Sequence, residues 1–229
     1  MKAYKRPVAL YIFDQVFGIA GMGVALFWSA GRIDWWPAWA AIAVWLSWYA
    51  VMDILILRFT SDLMAERLSP PKGAKAWDRA IMSTVRLTQL ARYILAGLDQ
   101  RYGWTGHFPL AAQIAGLAMC VLSYTLFEWA MTSNAFFSQI VRIQSDRGHA
   151  VATDGPYRYV RHPGYVGLIV FELAISTLLA SWWAILAGGV CAILFILRTA
   201  LEDRTLQAEL PGYTDYARQV RYRLLPGIW

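Results

Sequence analysis

Charge is scarce in this chain. Of its 229 residues only 16% are Asp, Glu, Lys or Arg, whereas 58% are hydrophobic and 15% aromatic. A soluble domain carries charge on roughly 25% of its residues, so the composition excludes a disordered chain and argues against an ordinary soluble one. Cysteine is scarce too. Cys120 and Cys191 lie in apolar stretches with no CxxC and no His/Cys ligand spacing, so neither a disulfide framework nor a metal site is expected. No glycine pattern follows a strand as in a dinucleotide fold, and no repeat or low-complexity tract is present. No basic run is interleaved with aromatics, so the formal charge of +6 reads as a membrane-orientation signal and no nucleic-acid partner is expected.

What is abundant is apolar sequence, with a mean hydropathy of +0.40. Continuous apolar runs cover Val8 to Ala30, Trp36 to Leu57, Phe108 to Trp129 and Tyr165 to Leu197. The last is too long for one crossing of about 20 residues. It breaks near Ala180-Ser181 into two helices, with Trp182 and Trp183 placed at an interface that suits amphipathic rings. The first run has three basic residues before it, as a signal peptide does, but its length and the lack of an A-x-A site read as a retained helix. Pro70-Pro71-Lys72-Gly73 marks a loop.

One segment is ambiguous. Ala80 to Leu98 contains Arg86, Gln89 and Arg92 and suits either a surface-lying amphipathic helix or a crossing. If it crosses, sixteen of the 21 Lys and Arg fall on one side of the membrane and only Arg32 and Arg101 on the other. That asymmetry is what cytoplasmic loops produce. The expectation is therefore an all-α integral membrane protein with about six transmembrane helices and both termini cytoplasmic. Residues 1–130 would hold four spans, and 131–229 would form a region with a cytoplasmic pocket. Ionisable groups inside spans need a partner or a task. Asp14, Asp53, Arg86 and Glu128 lie near the cytoplasmic ends, whereas the deeper Arg92 and Glu172 are expected to pair.

The longest informative stretch runs from Ser133 to Gly167, SNAFFSQIVRIQSDRGHAVATDGPYRYVRHPGYVG. Asp154-Gly155-Pro156 is a turn signal, and Pro163 suits the first position of a helix. Arg161 and His162 then sit at that helix's positive end, a place for an anionic group. Further on, Arg198 and Glu202 are four apart and share a helical face, a spacing that suits a helix-end ion pair. A tight hairpin of the last two spans brings His162 and Tyr165 close to them.

GPYRYVRHPGYVG, the acidic pair Glu202-Asp203 and the closing LPGYTDYARQVRYRLLPGIW together resemble the isoprenylcysteine carboxyl methyltransferase family and its bacterial relatives, over roughly Asn134 to Trp229. The resemblance implies a methyltransferase using S-adenosylmethionine in a pocket closed by C-terminal segments. By motif position it implies cofactor contacts at His149, Ala150, Val151, Ala152, Tyr157, His162, Pro163, Gly164, Tyr165 and Glu202. It gives Arg198 to the carboxylate of the substrate. Arg142 stands where the eukaryotic enzymes carry a glutamine, and Gly164 where they carry a serine. The acceptor implied is lipophilic, a small molecule or lipid-modified substrate entering from the bilayer among membrane lipids. A carboxylate of isoprenylcysteine type is the first choice, with N-methylation of an aminophospholipid or S-methylation of a thiol as other outcomes. A transporter or scaffold subunit is the non-enzymatic alternative. Gly212, Tyr213 and Tyr216 read as packing of a C-terminal cap, and Trp229 as an interface anchor.

Overall fold

The structure is a computed structural model that describes residues 8–59 and 73–229. Among these residues there is no strand, and the α-helices in chain order are α1 (Val8–Ala30), α2 (Trp36–Phe59), α3 (Ala76–Tyr102), α4 (Leu110–Thr132), α5 (Pro163–Leu178), α6 (Trp182–Glu209) and α7 (Tyr213–Gln219). Short 3-10 turns at Ser145–Arg147 and Gly155–Arg158 punctuate the long connection between α4 and α5. Of the expected Pro70-Pro71-Lys72-Gly73 loop, all but Gly73 lies outside the described residues.

Four of these helices, α1, α2, α4 and α6, are long and apolar enough to cross a membrane. Their outer faces carry large apolar side chains in the open, Phe17, Trp28, Leu122 and Ile193 among them. That is the surface of a chain whose solvent is hydrocarbon, and the protein is a multi-pass integral membrane protein. The ambiguous segment forms the 27-residue α3, and α5 is apolar but only 16 residues long. At 1.5 Å per residue α6 is about 42 Å long, more than the roughly 30 Å of a hydrocarbon core. Its polar last third, which begins near Glu202 and Asp203, therefore reaches the edge of the apolar layer and runs on beyond it, with Arg198 one turn deeper.

The expected break of the long apolar run is where the chain turns. Leu178 ends α5, Ala180 takes a left-handed φ of 58°, and the Ser181 hydroxyl caps α6 by accepting the N–H of Ala184 at 3.2 Å. Trp182 and Trp183 are both exposed at this turn. α4 and α5 lie against each other through glycine. A Cβ on Gly167 would come within 2.7 Å of the Ser123 carbonyl, and one on Gly116 within 2.8 Å of the Leu178 nitrogen, so larger residues at either position would push the helices apart.

The expected ion pair between Arg92 and Glu172 forms, with both side chains buried. Gln89 donates to the same carboxylate at 2.6 Å, and Arg92 also donates to the Tyr93 hydroxyl at 3.1 Å. Removing one member leaves the other charged in a low-dielectric core, which costs about 3–5 kcal/mol. Arg92→Leu and Glu172→Leu are each expected to lower the unfolding midpoint in detergent, and the double substitution is expected to recover part of the loss. A double variant no more stable than the worse single would remove the pair from this role.

Candidate functional site

The start of α5, the polar end of α6, α7 and the 133–162 connection meet around one cavity of about 760 Å³, which continues between α1, α2 and α3. Of the ten residues given to the cofactor by motif position, nine line it: His149, Ala150, Val151, Ala152, Tyr157, His162, Gly164, Tyr165 and Glu202; Arg198 lines it as well. Pro163 does not. It is buried at the first position of α5, where its fixed φ starts the helix and its missing N–H is no loss.

The backbone at that helix start is less open than the sequence implies. The N–H of Arg161 goes to the Tyr222 carbonyl and that of His162 to the Arg223 carbonyl, both at 2.9 Å, while the N–H groups of Tyr165 and Val166 return to the carbonyl of His162. The reading of a broadly open helix terminus is thus corrected to one backbone donor, Gly164 N–H. Gly164 is closely covered, since a Cβ would lie 3.0 Å from the Phe137 ring and the ring would have to give by a few tenths of an ångström.

His162 is held from below by Asp203. Its Nε2 lies 3.1 Å from Asp203 Oδ1 and 3.2 Å from the Tyr213 hydroxyl, which itself donates to the same oxygen at 3.0 Å. A carboxylate only accepts, so Nε2 carries the hydrogen and Nδ1 is left over. Asp203 is fully buried and also receives Arg161 through Nε at 2.8 Å and Nη2 at 3.1 Å, Arg223 Nε at 2.8 Å and Gln207 Nε2 at 2.7 Å. Arg161 spends Nη1 on the carbonyls of Val220 and Arg221. One carboxylate therefore ties α5, α6, α7 and the final segment together.

Arg198 and Glu202 share a face of α6 yet do not pair, which corrects the expected helix-end ion pair. Each has a better partner. Arg198 donates through Nε to Asp78 Oδ1 at 2.7 Å and through Nη2 to the Gln139 carbonyl at 2.8 Å, with its guanidinium carbon 5.5 Å from the centre of the Tyr165 ring. Nη1 has no partner among the described residues. Glu202 accepts the Tyr165 hydroxyl on Oε2 at 2.5 Å. Asp78 Oδ2 accepts the N–H of Val141 at 2.9 Å, so Asp78 fixes both the arginine and the loop beside it. It sits in the first turn of α3, where the helix dipole favours a carboxylate.

The His149 imidazole lies 4.7 Å from the Phe136 ring, and its Nδ1 accepts the N–H of Gln144 at 3.2 Å. Burial, with Arg142 and Arg147 nearby, holds its pKa below the ordinary value of 6.5, so it is neutral at pH 7 and protonated on Nε2. Burial pushes the Tyr157 hydroxyl upward. That hydroxyl accepts Asn134 Nδ2 at 3.3 Å, and the Tyr157 carbonyl accepts the Tyr216 hydroxyl at 2.7 Å. Tyr213 and Tyr216, expected only to pack, thus bond to the site. Trp229 is not a free anchor, because its oxygen accepts the N–H groups of Arg223 and Leu224 and its ring lies under the Arg223 guanidinium at 4.9 Å. Asp78 and Asp203 are the residues that motif position missed. Asp203 was visible as half of the acidic pair, whereas nothing marked Asp78 beyond a lone acid opening a helix.

Two outcomes follow from this geometry. Asp78→Ala strands the buried Arg198 and frees Val141 N–H, and is expected to cost about 3–5 kcal/mol by unfolding in detergent, with faster amide exchange at 139–141. The lowered pKa of His149 contributes stability that is present above the unfolded value and is lost as pH falls from about 6.5 through the folded value. Protection factors of the amides across 143–150, corrected for the intrinsic exchange rate at each pH, are therefore expected to fall between pH 7 and pH 5, and this fall is expected to vanish in His149→Asn.

Residues 116–208 match the family model described as the isoprenylcysteine carboxyl methyltransferase (ICMT) family. A protein-S-isoprenylcysteine O-methyltransferase from Tribolium castaneum is 27% identical over 177 residues, covering 74% of this chain and 62% of that protein. One from Schizosaccharomyces pombe is 34% identical over 104 residues, 44% of each chain. The chain thus spans 44% to 62% of the length of these two relatives. The solved structure of a eukaryotic intramembrane Ras methyltransferase, ICMT, superposes with a TM-score of 0.54 at 20% identity, covering 82% of this chain and 65% of that one, and shares the fold. The matched region contains His149, His162, Arg198 and Glu202, so the polar end of the cavity lies within the stretch that is similar to the isoprenylcysteine carboxyl methyltransferase family.

Proposed function

We propose that this protein is a membrane methyltransferase that uses S-adenosylmethionine to methylate a carboxylate on a lipophilic acceptor, of isoprenylcysteine type or another lipid-linked acid. The observation that carries this reading is one continuous cavity that joins a polar end with His162, Arg198 and Glu202 to a stretch rich in large apolar side chains, Trp45, Trp48 and Met52 among them. A charged donor and a greasy acceptor fit such an enclosure together. The names of the relatives, protein-S-isoprenylcysteine O-methyltransferases, support the same chemistry.

The polar end suits the donor. Glu202 keeps Oε1 for an amino group or ribose hydroxyls, since Tyr165 occupies only Oε2. Gly164 N–H remains for a carboxylate, and His162 Nδ1, an acceptor once Nε2 carries the hydrogen, remains for an amino group or hydroxyl beside it. The small Ala150, Val151 and Ala152 and the Tyr157 ring leave a slot for a flat or cationic group. When bound, S-adenosylmethionine supplies an electrophilic methyl group on a sulfonium. The chain's own contribution is placement. Arg198, fixed by Asp78 and the Gln139 carbonyl, offers Nη1 to the acceptor carboxylate. That carboxylate is ionised at pH 7, so no general base is needed, and alignment in a water-poor pocket is the catalytic device.

In the same proposal α3 and α5 also cross, giving six spans, with both termini and the polar end of the cavity cytoplasmic. Residues 1–130 form the membrane scaffold and 131–229 the methyl-transfer region.

The test is methyl transfer from labelled S-adenosylmethionine by the lipid-reconstituted protein, offered prenyl-cysteine and aminophospholipid acceptors. The expected product is base-labile and releases label as methanol. Glu202→Ala is expected to weaken donor binding about 10- to 100-fold, the worth of a charge-assisted hydrogen bond. Base-stable label would replace the carboxylate with an amine or thiol. Neither binding nor transfer would overturn the methyltransferase reading in favour of a transporter or scaffold.

A further inference from the structure

The far end of the cavity is not simply greasy. On α3 the cavity-lining residues Met82, Arg86, Gln89 and Tyr93 fall on one stripe, and two of them belong to the buried polar network around Glu172. The polarity of each bond in that network is forced by chemistry. Tyr93 is 6% exposed, and its hydroxyl oxygen receives Trp45 Nε1 at 3.0 Å and Arg92 Nη2 at 3.1 Å. Indole and guanidinium are donors only. The tyrosine oxygen must therefore accept from both, and its own proton must go elsewhere. Gln89 faces Glu172 Oε1 at 2.6 Å, and a carboxylate only accepts, so the amide must present its NH₂ to Glu172 and turn its carbonyl away.

Among the described residues no acceptor takes the Tyr93 proton and no donor meets the Gln89 carbonyl. One unspent donor and one unspent acceptor thus sit one helical turn apart, on residues that both line the cavity. Leaving such groups unmet in an apolar enclosure is costly, and a plain hydrocarbon chain cannot meet them. A hydroxyl or a secondary amide, each a donor and an acceptor, can meet both.

Their distance from the polar end is set by the helix. Asp78, which holds Arg198, opens α3. Gln89 and Tyr93 lie eleven and fifteen residues further on, about 16 Å and 22 Å along the axis. We propose that Gln89 and Tyr93 form a distal subsite for a hydroxyl or secondary amide on the tail of the lipophilic acceptor, about 16–22 Å from the carboxylate held by Arg198. This rests on the reading above, in which the acceptor lies along the cavity with its acid at Arg198. Tail recognition then discriminates between acceptors that share one reacting end.

The test compares matched S-alkyl N-acetylcysteines with linear chains of equal length, one ending in a methyl group and one in a hydroxyl at the distal position. A third carries the hydroxyl near the sulfur. Binding is measured by calorimetry on the protein in nanodiscs, and methyl transfer is measured in parallel. The distal hydroxyl is expected to tighten binding about tenfold over the methyl-ended chain, and the proximal one is expected to give no gain. Tyr93→Phe and Gln89→Leu are each expected to bring the ratio between the two chains towards one. The glutamine variant leaves the Arg92–Glu172 pair in place if the tyrosine variant folds poorly. Equal binding of all three lipids, as when bound water satisfies the two groups, overturns the subsite. A distal preference in binding without transfer supports the subsite and overturns the methyl-transfer reading, whereas transfer without preference overturns the subsite alone.

Discussion

The gathering of donors on Asp203 is the constraint on which the rest of the site depends. Buried carboxylates are costly unless fully bonded, and this one is met by two arginines, a histidine, a tyrosine and a glutamine from four segments. Because the partners come from the residues that lead into α5, from α6, from α7 and from the final segment, satisfying one carboxylate forces four pieces of chain into one arrangement. The backbone pairing of Arg161 and His162 with Tyr222 and Arg223 follows from it. So does the position of His162, whose only free ring nitrogen is the one that Asp203 does not take.

A second carboxylate does for Arg198 what Asp203 does for His162. Asp78 reaches from the start of α3 to an arginine on α6 and to a loop amide. The two buried acids divide the labour: one orders the side of the site built from the end of the chain, the other fastens that side to the membrane helices. Between them stand Tyr165 and Glu202, bonded to each other and to neither acid. Glu202 is thereby left as the carboxylate with an unspent oxygen, a distinction that position along the chain does not reveal.

Much of the fold was legible because membrane helices announce themselves by composition. The apolar runs gave α1, α2 and α4 to within a few residues, Pro163 marked the start of α5, and the overlong run broke at Ala180-Ser181 as length demands. The Arg92–Glu172 pair was foreseeable because neither charge is tolerable alone in a span. Side-chain partnerships across the fold were less legible. Helical spacing placed Arg198 beside Glu202, but spacing shows only which groups can meet, and Asp78, 120 residues away, wins the arginine. Adjacent residues on a helix point about 100° apart, so Glu202 and Asp203, alike on the page, face different neighbours. The helix start looked open because nothing in the motif shows that a distant segment already occupies its amides.

The length of α6 has a mechanical consequence. Trp182 and Trp183 sit at its first turn, and Glu202 follows Trp182 by twenty residues, a rise of about 30 Å. This equals the thickness of a typical hydrocarbon core. A single rigid rod thus runs from indole rings suited to one membrane face to the polar end of the cavity at the level of the other, and it acts as a depth gauge. In a thinner bilayer the rod must tilt or lift its charged end further into water, and in a thicker one that end is drawn towards the acyl region. Lipid composition then sets how deep the polar mouth of the cavity lies, with no change in any bond of the site.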